Sequence, residues 1–318
     1  MIKLSLVILV VNQKNVELLF DCFDQSATLL YEKTKLPYLE GIVKTCENIL
    51  ADSANESSEE LNQELEKIIS TISQVEFDKE EIRKAFQFAC LKGLKHKNIS
   101  NQMITPESIG LFFSYLVEKL YERKDLVVYD PLVGSGNLIT SMANNLEKSM
   151  TLIGVDKDLV FSKLTQALFG MLNYGEDVYF QDALTFSNIK ANLIVTDFSG
   201  LSQTDVFQLI KYNKELLKDN SFLISVIDNS FFDSSLLKEF IYEVKNDWHF
   251  FGMLVLPETF FKNDKKSIFI LQRIGKDFIK PNKFLMADLP DFNNQSETEK
   301  VIGQINDWFK QIEFKKVR

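Results

Sequence analysis

The sequence predicts an α/β protein in which helices cover a mostly parallel sheet and a helical domain comes first. Three observations predict it. From residue 105 onward, short apolar strands alternate with segments of helical periodicity. A glycine loop, Gly134-Ser135-Gly136, joins the first of those strands to a helix. Residues 14–97 carry apolar side chains at spacings of three and four, the period of helices.

The helical part begins with Val16, Leu19, Phe20, Phe23 and Ala27 on one face, and Ile82, Ala85, Phe86 and Ala89 repeat the pattern. Between them, the acidic, serine-rich stretch 51–64 reads as a solvated loop leading into a helix. Thr105-Pro106-Glu107 is a helix start, with a capping hydroxyl, proline at the first helical position and an acid in the first turn. Ile109, Phe112, Phe113, Leu116, Val117 and Leu120 then form one apolar face. Strands follow at 126–129, 152–155, 177–180, 193–196, 222–227, 250–256 and 267–272, and the segment 203–220 is helical. A polar tail from about 276 ends in a helix opened by the capping-box pattern Ser296-Glu297-Thr298-Glu299, with Val301, Ile302, Ile305, Trp308, Phe309 and Ile312 facing the core. The domain expectation is therefore a helical domain at 1–100, a ligand-binding core at 101–275, and a tail with a docking helix at 276–318.

Composition narrows the function classes. With 45% hydrophobic and 25% charged residues, 12 Gly and 6 Pro in 318 residues, the chain has the make-up of a folded globular protein. Its net charge of -9 repels phosphate, so any nucleic-acid contact must come from local basic loops. Two are candidates, KGLKHK at 92–97 and KNDKK at 262–266, although lysines at loops and helix ends usually serve solubility. Cys22, Cys46 and Cys90 form no CxxC pair, which fits a reducing compartment and buried thiols. The opening MIKLSLVILVV falls short of the ~18 or more apolar residues that span a membrane and has no small-x-small cleavage site. The expectation is a cytoplasmic protein without a membrane partner.

In open parallel sheets, ligands bind beyond the carboxyl ends of the strands, where the loop after the first strand meets a helix N-terminus. The stretch DPLVGSGN at 130–137 occupies that place. Gly134 and Gly136 let backbone amides approach a ligand, and Asp156, 20 residues after Gly136, can accept from both hydroxyls of a ribose. Asp182 closes the third strand. A dinucleotide and S-adenosylmethionine are both compatible. The third glycine of GxGxxG is replaced by Ile139, and Asp130 before the loop would oppose a pyrophosphate but attract an amino group and a sulfonium. No GxxxxGK[ST] occurs. Electrostatics thus favour the methyl donor, and a nucleotide-dependent oxidoreductase stays as an alternative.

Thr105-Pro106, the 130–137 loop, GVDKD at 154–158, QDAL at 181–184 and NLIVTD at 192–197 follow one another in the order seen in S-adenosylmethionine-dependent N6-adenine DNA methyltransferases. The sequence resembles stand-alone relatives of the modification subunit of type I restriction systems. The likeness covers about 105–275, including the later LPETFF at 256–261 and the strand after it. It implies a class I methyltransferase (Rossmann-like), doubly wound sheet with a final antiparallel strand. It further implies that Thr105, Asp130, Gly134, Gly136 and Asn137 hold the methionine part of the donor, Asp156 the ribose, and Asp182 with Ala183 the adenine.

Members of that family place Asn or Asp, two prolines and an aromatic at the end of the fourth strand. The side chain and a proline carbonyl accept the amine's N–H groups, and the aromatic stacks on a flipped base. Here the positions read Asp197, Phe198, Ser199 and Gly200. Asp197 keeps the acceptor, the carbonyl of Phe198 stands for the second, and the Phe198 ring is the candidate stacking platform; Phe260 and Phe261 are later aromatics that could compensate. Both prolines are absent, so the loop is freer. Two functions stay open: methyl transfer to an amine oriented by Asp197, and a catalytically degenerate binding or regulatory module. Only about 45 residues follow the core, which points to a partner chain for target recognition.

Other chemistries lack their parts. His96 and His249 have no nucleophile beside them, and the acid pairs Glu80-Glu81 and Asp156/Asp158 read as solvated faces rather than metal ligands.

Overall fold

The computed structural model describes residues 11–96, 104–233, 235–261, 264–314 and 316–317. Residues 1–10 of the opening apolar run, and Lys97, Lys262 and Asn263 of the two basic clusters, lie outside the described residues. The chain packs as two compact units, which cut across the ranges expected from sequence. One combines the chain up to Leu111 with Val133–Leu146 and Gly154–Gln181; the other holds Phe112–Leu132, Glu147–Ile153 and Asp182 onward.

The first unit is built on α1 (Gln13–Thr34), α2 (Tyr38–Ala51), α3 (Glu59–Ser70) and α4 (Lys79–His96), with α6 (Asn137–Asn144), α7 (Leu159–Met171) and β3 (Val178–Phe180). Asn12 caps α1 by accepting the Lys14 N–H, and Ser58 caps α3 in the same way through Leu61. The predicted faces pack: Val16, Leu19, Phe23, Ala27, Ala85, Phe86 and Ala89 share one apolar core with Phe161, Leu164 and Leu168 of α7. Cys22, Cys46 and Cys90 are buried and free in it. Burial pushes the Cys22 thiol up to about 12 and raises the other two as well, so all three behave as small hydrophobes.

Glu80 and Glu81 correct the sequence expectation of a solvated acidic face, being 4% and 3% exposed. Glu81 closes the start of α4 on α1: it accepts from the Asn12 and Asp78 N–H groups and from the Asn15 side chain. Glu80 pairs with Arg83. Each acid is buried because donors surround it.

The second unit carries most of α5 (Glu107–Leu120), then β1 (Asp125–Asp130), β4 (Ala191–Asp197), α8 (Gln203–Leu216), β5 (Leu217–Asp228), α9 (Leu237–Val244), β6 (Trp248–Val255), β7 (Lys266–Arg273), β8 (Leu285–Asp288) and α10 (Gln295–Gln311). With β2 (Ser149–Asp156) and β3, these strands form one eight-stranded sheet ordered β3-β2-β1-β4-β5-β7-β6-β8. The pairs β1/β4, β2/β3 and β4/β5 are parallel, and β7 is antiparallel to β5 and β6, as expected for the doubly wound fold. The sequence missed β8, which runs parallel to β6 and keeps only four residues. α10 docks where expected, with Ile302 and Ile305 buried and Trp308 edge-on to Phe251 at 5.4 Å. Its cap is Asn294, which accepts the Glu297 N–H, so the helix starts two residues before the predicted box. No helix among the described residues is long and apolar enough to cross a membrane.

Candidate functional site

β1, β2, β4 and β5 each end on an aspartate, Asp130, Asp156, Asp197 and Asp228, and Asp182 comes two residues after β3. Asp130, Asp156, Asp182 and Asp197 are the acids singled out in the sequence, the last by the family resemblance. The first unit holds the glycine turn and Asp156; the second holds Asp130, Asp182 and the loop after β4.

In the first unit, Gly134 and Gly136 both adopt left-handed backbone, φ 53° and 75°, which a side chain would strain. The turn closes through the Gly136 N–H on the Val133 carbonyl at 2.8 Å and delivers the chain into α6, whose cap is Gly136 itself. A Cβ on Gly136 would come within 3.0 Å of Thr165, whose hydroxyl donates to the Gly134 carbonyl at 2.5 Å. Asp156 accepts the Gly134 N–H at 2.9 Å with one oxygen and the Asp158 N–H at 2.8 Å with the other. Burial raises its carboxyl above the ordinary value against those two donors. Each oxygen retains a lone pair for a further donor. Asp158 caps α7 by accepting the Val160 and Phe161 N–H groups.

Asn137, at the start of α6, is buried, and its amide NH2 donates to the Thr105 carbonyl at 2.7 Å. Its amide oxygen accepts from Arg83 of α4 at 2.6 Å. Sequence reasoning missed Arg83. The available signal was a cation three residues before Phe86 and seven before Cys90, on the buried face of a helix, with Glu80 one turn back to neutralise it.

In the second unit, Asp130 is 2% exposed and accepts the Leu132 N–H at 3.0 Å. The Tyr129 ring stacks on Phe186 at 5.4 Å, and its hydroxyl is buried without a hydrogen-bond partner. Asp182 is exposed and closes a turn by accepting the Leu184 N–H, while Ala183 is buried.

The loop after β4 is tied by hydrogen bonds. Asp197 accepts the Ser199 N–H at 2.9 Å, and the Gly200 N–H donates to Asp228 at 3.0 Å. Asp228 in turn pairs with the buried Lys266 at 3.6 Å, whose ammonium lies 4.2 Å from the Phe261 ring centre. Phe198 is 1% exposed, and its N–H continues the ladder to the Val226 carbonyl. Its ring is core, which corrects the expectation of a stacking platform. Its carbonyl already accepts the Leu201 N–H at 3.2 Å. Phe261 is also core, and Phe260 packs on Phe292 at 5.1 Å. A Cβ on Gly200 would meet nothing within 4 Å, and the Ser199 hydroxyl is buried without a partner.

The described lysines of the basic clusters are largely engaged: Lys92 with Asp24, Lys265 with Glu258 and Lys266 with Asp228. His96 stands edge-on to Tyr38, and burial lowers the His249 pKa. Among the described residues no cluster of His, Cys, Asp and Glu is arranged to hold a metal ion.

Residues 17–94 match the family described as the YtxK N-terminal helical domain. The uncharacterized protein YtxK of Bacillus subtilis strain 168 is 28% identical over 320 residues, covering 92% of this chain and 96% of its own. A candidate class I S-adenosylmethionine-dependent methyltransferase from Listeria monocytogenes superposes with a TM-score of 0.84 and 26% identity, over 94% of this chain and all of that one. The methyltransferase subunit of a type I restriction-modification system from Streptococcus thermophilus shares the fold at a TM-score of 0.54 and 12% identity, over 92% and 74% of the two chains. The structural neighbours are thus S-adenosylmethionine-dependent methyltransferases, type I modification subunits among them.

Proposed function

We propose that this chain binds S-adenosylmethionine and transfers its methyl group to an amine held at Asp197. The observation that carries the reading is the turn of two left-handed glycines at the head of α6, tied to Asp156 by the Gly134 N–H. The residues present suit the donor. A side chain at Gly136 would fill the turn, and the Tyr129 hydroxyl just before Asp130 is a buried donor lacking a partner. Asp130 would face the positive amino and sulfonium groups, with Thr105, Gly134, Gly136 and Asn137 around the methionine part. Asp156 would take the ribose hydroxyls, and Asp182 with Ala183 the adenine. When bound, the donor supplies an electrophilic methyl group on sulfur.

The chain's part is to orient the acceptor. Asp197 accepts the Ser199 N–H with one oxygen, and a carboxylate, with about four lone-pair sites, can accept an amine N–H besides. That hydrogen bond returns electron density to a nitrogen whose lone pair is delocalised, as in adenine. The amine turns acidic on methylation and loses a proton to water, so Asp197 need not act as a general base. An amine in a nucleic acid is the substrate class that the resemblance implies. With a type I modification subunit among the neighbours, we further propose a partner chain that supplies target recognition.

The buried Phe198 favours a second reading, a donor-binding regulatory module without turnover. Calorimetric titration with S-adenosylmethionine and its demethylated product, beside Gly134→Asp as control, tests the common part. Micromolar binding that the variant loses supports the donor pocket; no binding to folded protein sinks it. A radiolabelled methyl-transfer screen over DNA, RNA and protein then separates the readings. Asp197→Ala should abolish any transfer, and unchanged turnover would remove Asp197 from its assigned role.

A further inference from the structure

The N-terminal helical domain carries no catalytic signature, yet one of its side chains reaches the glycine turn. Arg83 of α4 is 1% exposed. Its Nε donates to Glu80 at 2.7 Å and one terminal nitrogen donates to Glu107 at 2.6 Å. The other donates to Gln87 at 3.1 Å and to the Asn137 amide oxygen at 2.6 Å. Because that oxygen accepts from Arg83, the amide nitrogen is turned to the Thr105 carbonyl. Meanwhile Glu80 accepts from the Asn145 side chain, at the other end of α6, at 3.1 Å. Two adjacent turns of α4 therefore hold both ends of the eight-residue helix that follows the glycine turn.

We infer that Arg83 is a positioning residue for this turn: it fixes Asn137, and through Asn137 the Thr105 carbonyl and the first turn of α6. The inference rests on the donor reading for what the turn binds, and on the hydrogen bonds for the contact itself. A buried guanidinium is an expensive way to fill space, since apolar residues of similar volume usually pack at least as stably. What an apolar side chain cannot supply is a planar fork that reaches two carboxylates and two amide oxygens together. Lysine fails for the same reason, as a single ammonium on a flexible stem does not span all four. The helical domain then belongs to the ligand-binding apparatus.

The test compares the full-length protein with Arg83→Met and Arg83→Lys by hydrogen exchange without ligand, and by titration with S-adenosylmethionine. In a folded Arg83→Met variant, the amides of 134–140 should exchange about tenfold faster or more, the size expected for a lost charge-assisted hydrogen bond, while α1 amides keep their protection. Donor affinity should fall by a similar factor, and Arg83→Lys should resemble Arg83→Met. Unchanged exchange at 134–140 in folded Arg83→Met, or loosening spread evenly over the chain, would overturn the inference. If Arg83→Met does not fold, Arg83→Lys, which keeps the buried charge, decides, and wild-type exchange in it overturns the inference. A wild-type protein that binds no donor but whose variants loosen at 134–140 would sink the donor reading and leave Arg83 in its positioning role.

Discussion

At the scale of single residues, the loop after β4 shows what an alternative spelling of a loop can do. The Asp-Pro-Pro-aromatic pattern obtains rigidity from fixed φ angles. Here the same stretch uses N–H donors that proline lacks: Phe198 to Val226, Ser199 to Asp197 and Gly200 to Asp228. Placing Pro-Pro-Tyr at 198–200 would delete the first two, empty the space of a buried ring and put a side chain at φ 78°. We expect that triple variant to lose stability and gain no methyl transfer. Phe198→Ala isolates the main cause and should cost about 3–5 kcal/mol in urea unfolding; a loss below about 1 kcal/mol would show that the ring is not core. The places of Asp130 and Asp156 at strand ends and of Gly134 and Gly136 in the turn were legible, because the apolar strands and the glycine spacing mark them. The fate of Phe198 was not, since facing core or cleft depends on where β4 stops, and a one-residue slip reverses it.

Elements were legible where their periodicity was long and unreadable where a neighbour supplies their stability. β8 has four residues and pairs along β6 alone, so its signal lies in the partner strand. α10 was found, but its start was misread, because Ser296 and Asn294 are both good caps and only the backbone decides. Asn294→Ala should therefore cost about 1 kcal/mol and Ser296→Ala close to nothing, measured by thermal unfolding; the reverse order would restore the capping-box reading. The start of α5 carries a pH signature. Burial alone would raise the Glu107 carboxyl, but Arg83, and Lys84 after it, outweigh burial and hold it below the ordinary value of 4.5. A carboxyl lowered on folding contributes stability that is present above its unfolded value and is lost as pH falls through its folded one. Glu107→Gln should thus be less stable than wild type at neutral pH, with the gap closing below the ordinary glutamate value. A gap that stays constant across a pH series of urea unfolding would exclude the ion pair as its source.

For the whole molecule, charge decides what the chain can do unaided. Nucleic-acid affinity without sequence readout comes from cations that displace counterions from phosphates, and its strength follows the number of free Lys and Arg along one track. A net charge of -9 opposes approach at long range. At short range, three of the described lysines of the two expected clusters, Lys92, Lys265 and Lys266, are engaged by Asp24, Glu258 and Asp228, and Lys266 is 5% exposed. At these three a phosphate would have to displace a carboxylate already in place, and for Lys266 it would also have to open the Gly200–Asp228–Lys266 chain that ties the loop after β4. The chain by itself should therefore show no measurable binding to a short DNA duplex at physiological salt (~0.15 M), and at most weak binding with a shallow salt slope at lower salt. Fluorescence anisotropy over a salt series checks this. Micromolar affinity at ~0.15 M with a steep slope would mean that these ion pairs yield to phosphate and that no partner is needed for contact. Absence of binding, alongside a donor pocket that titrates, would separate the two tasks: this chain would hold the methyl donor, and the positive surface would have to come from another protein.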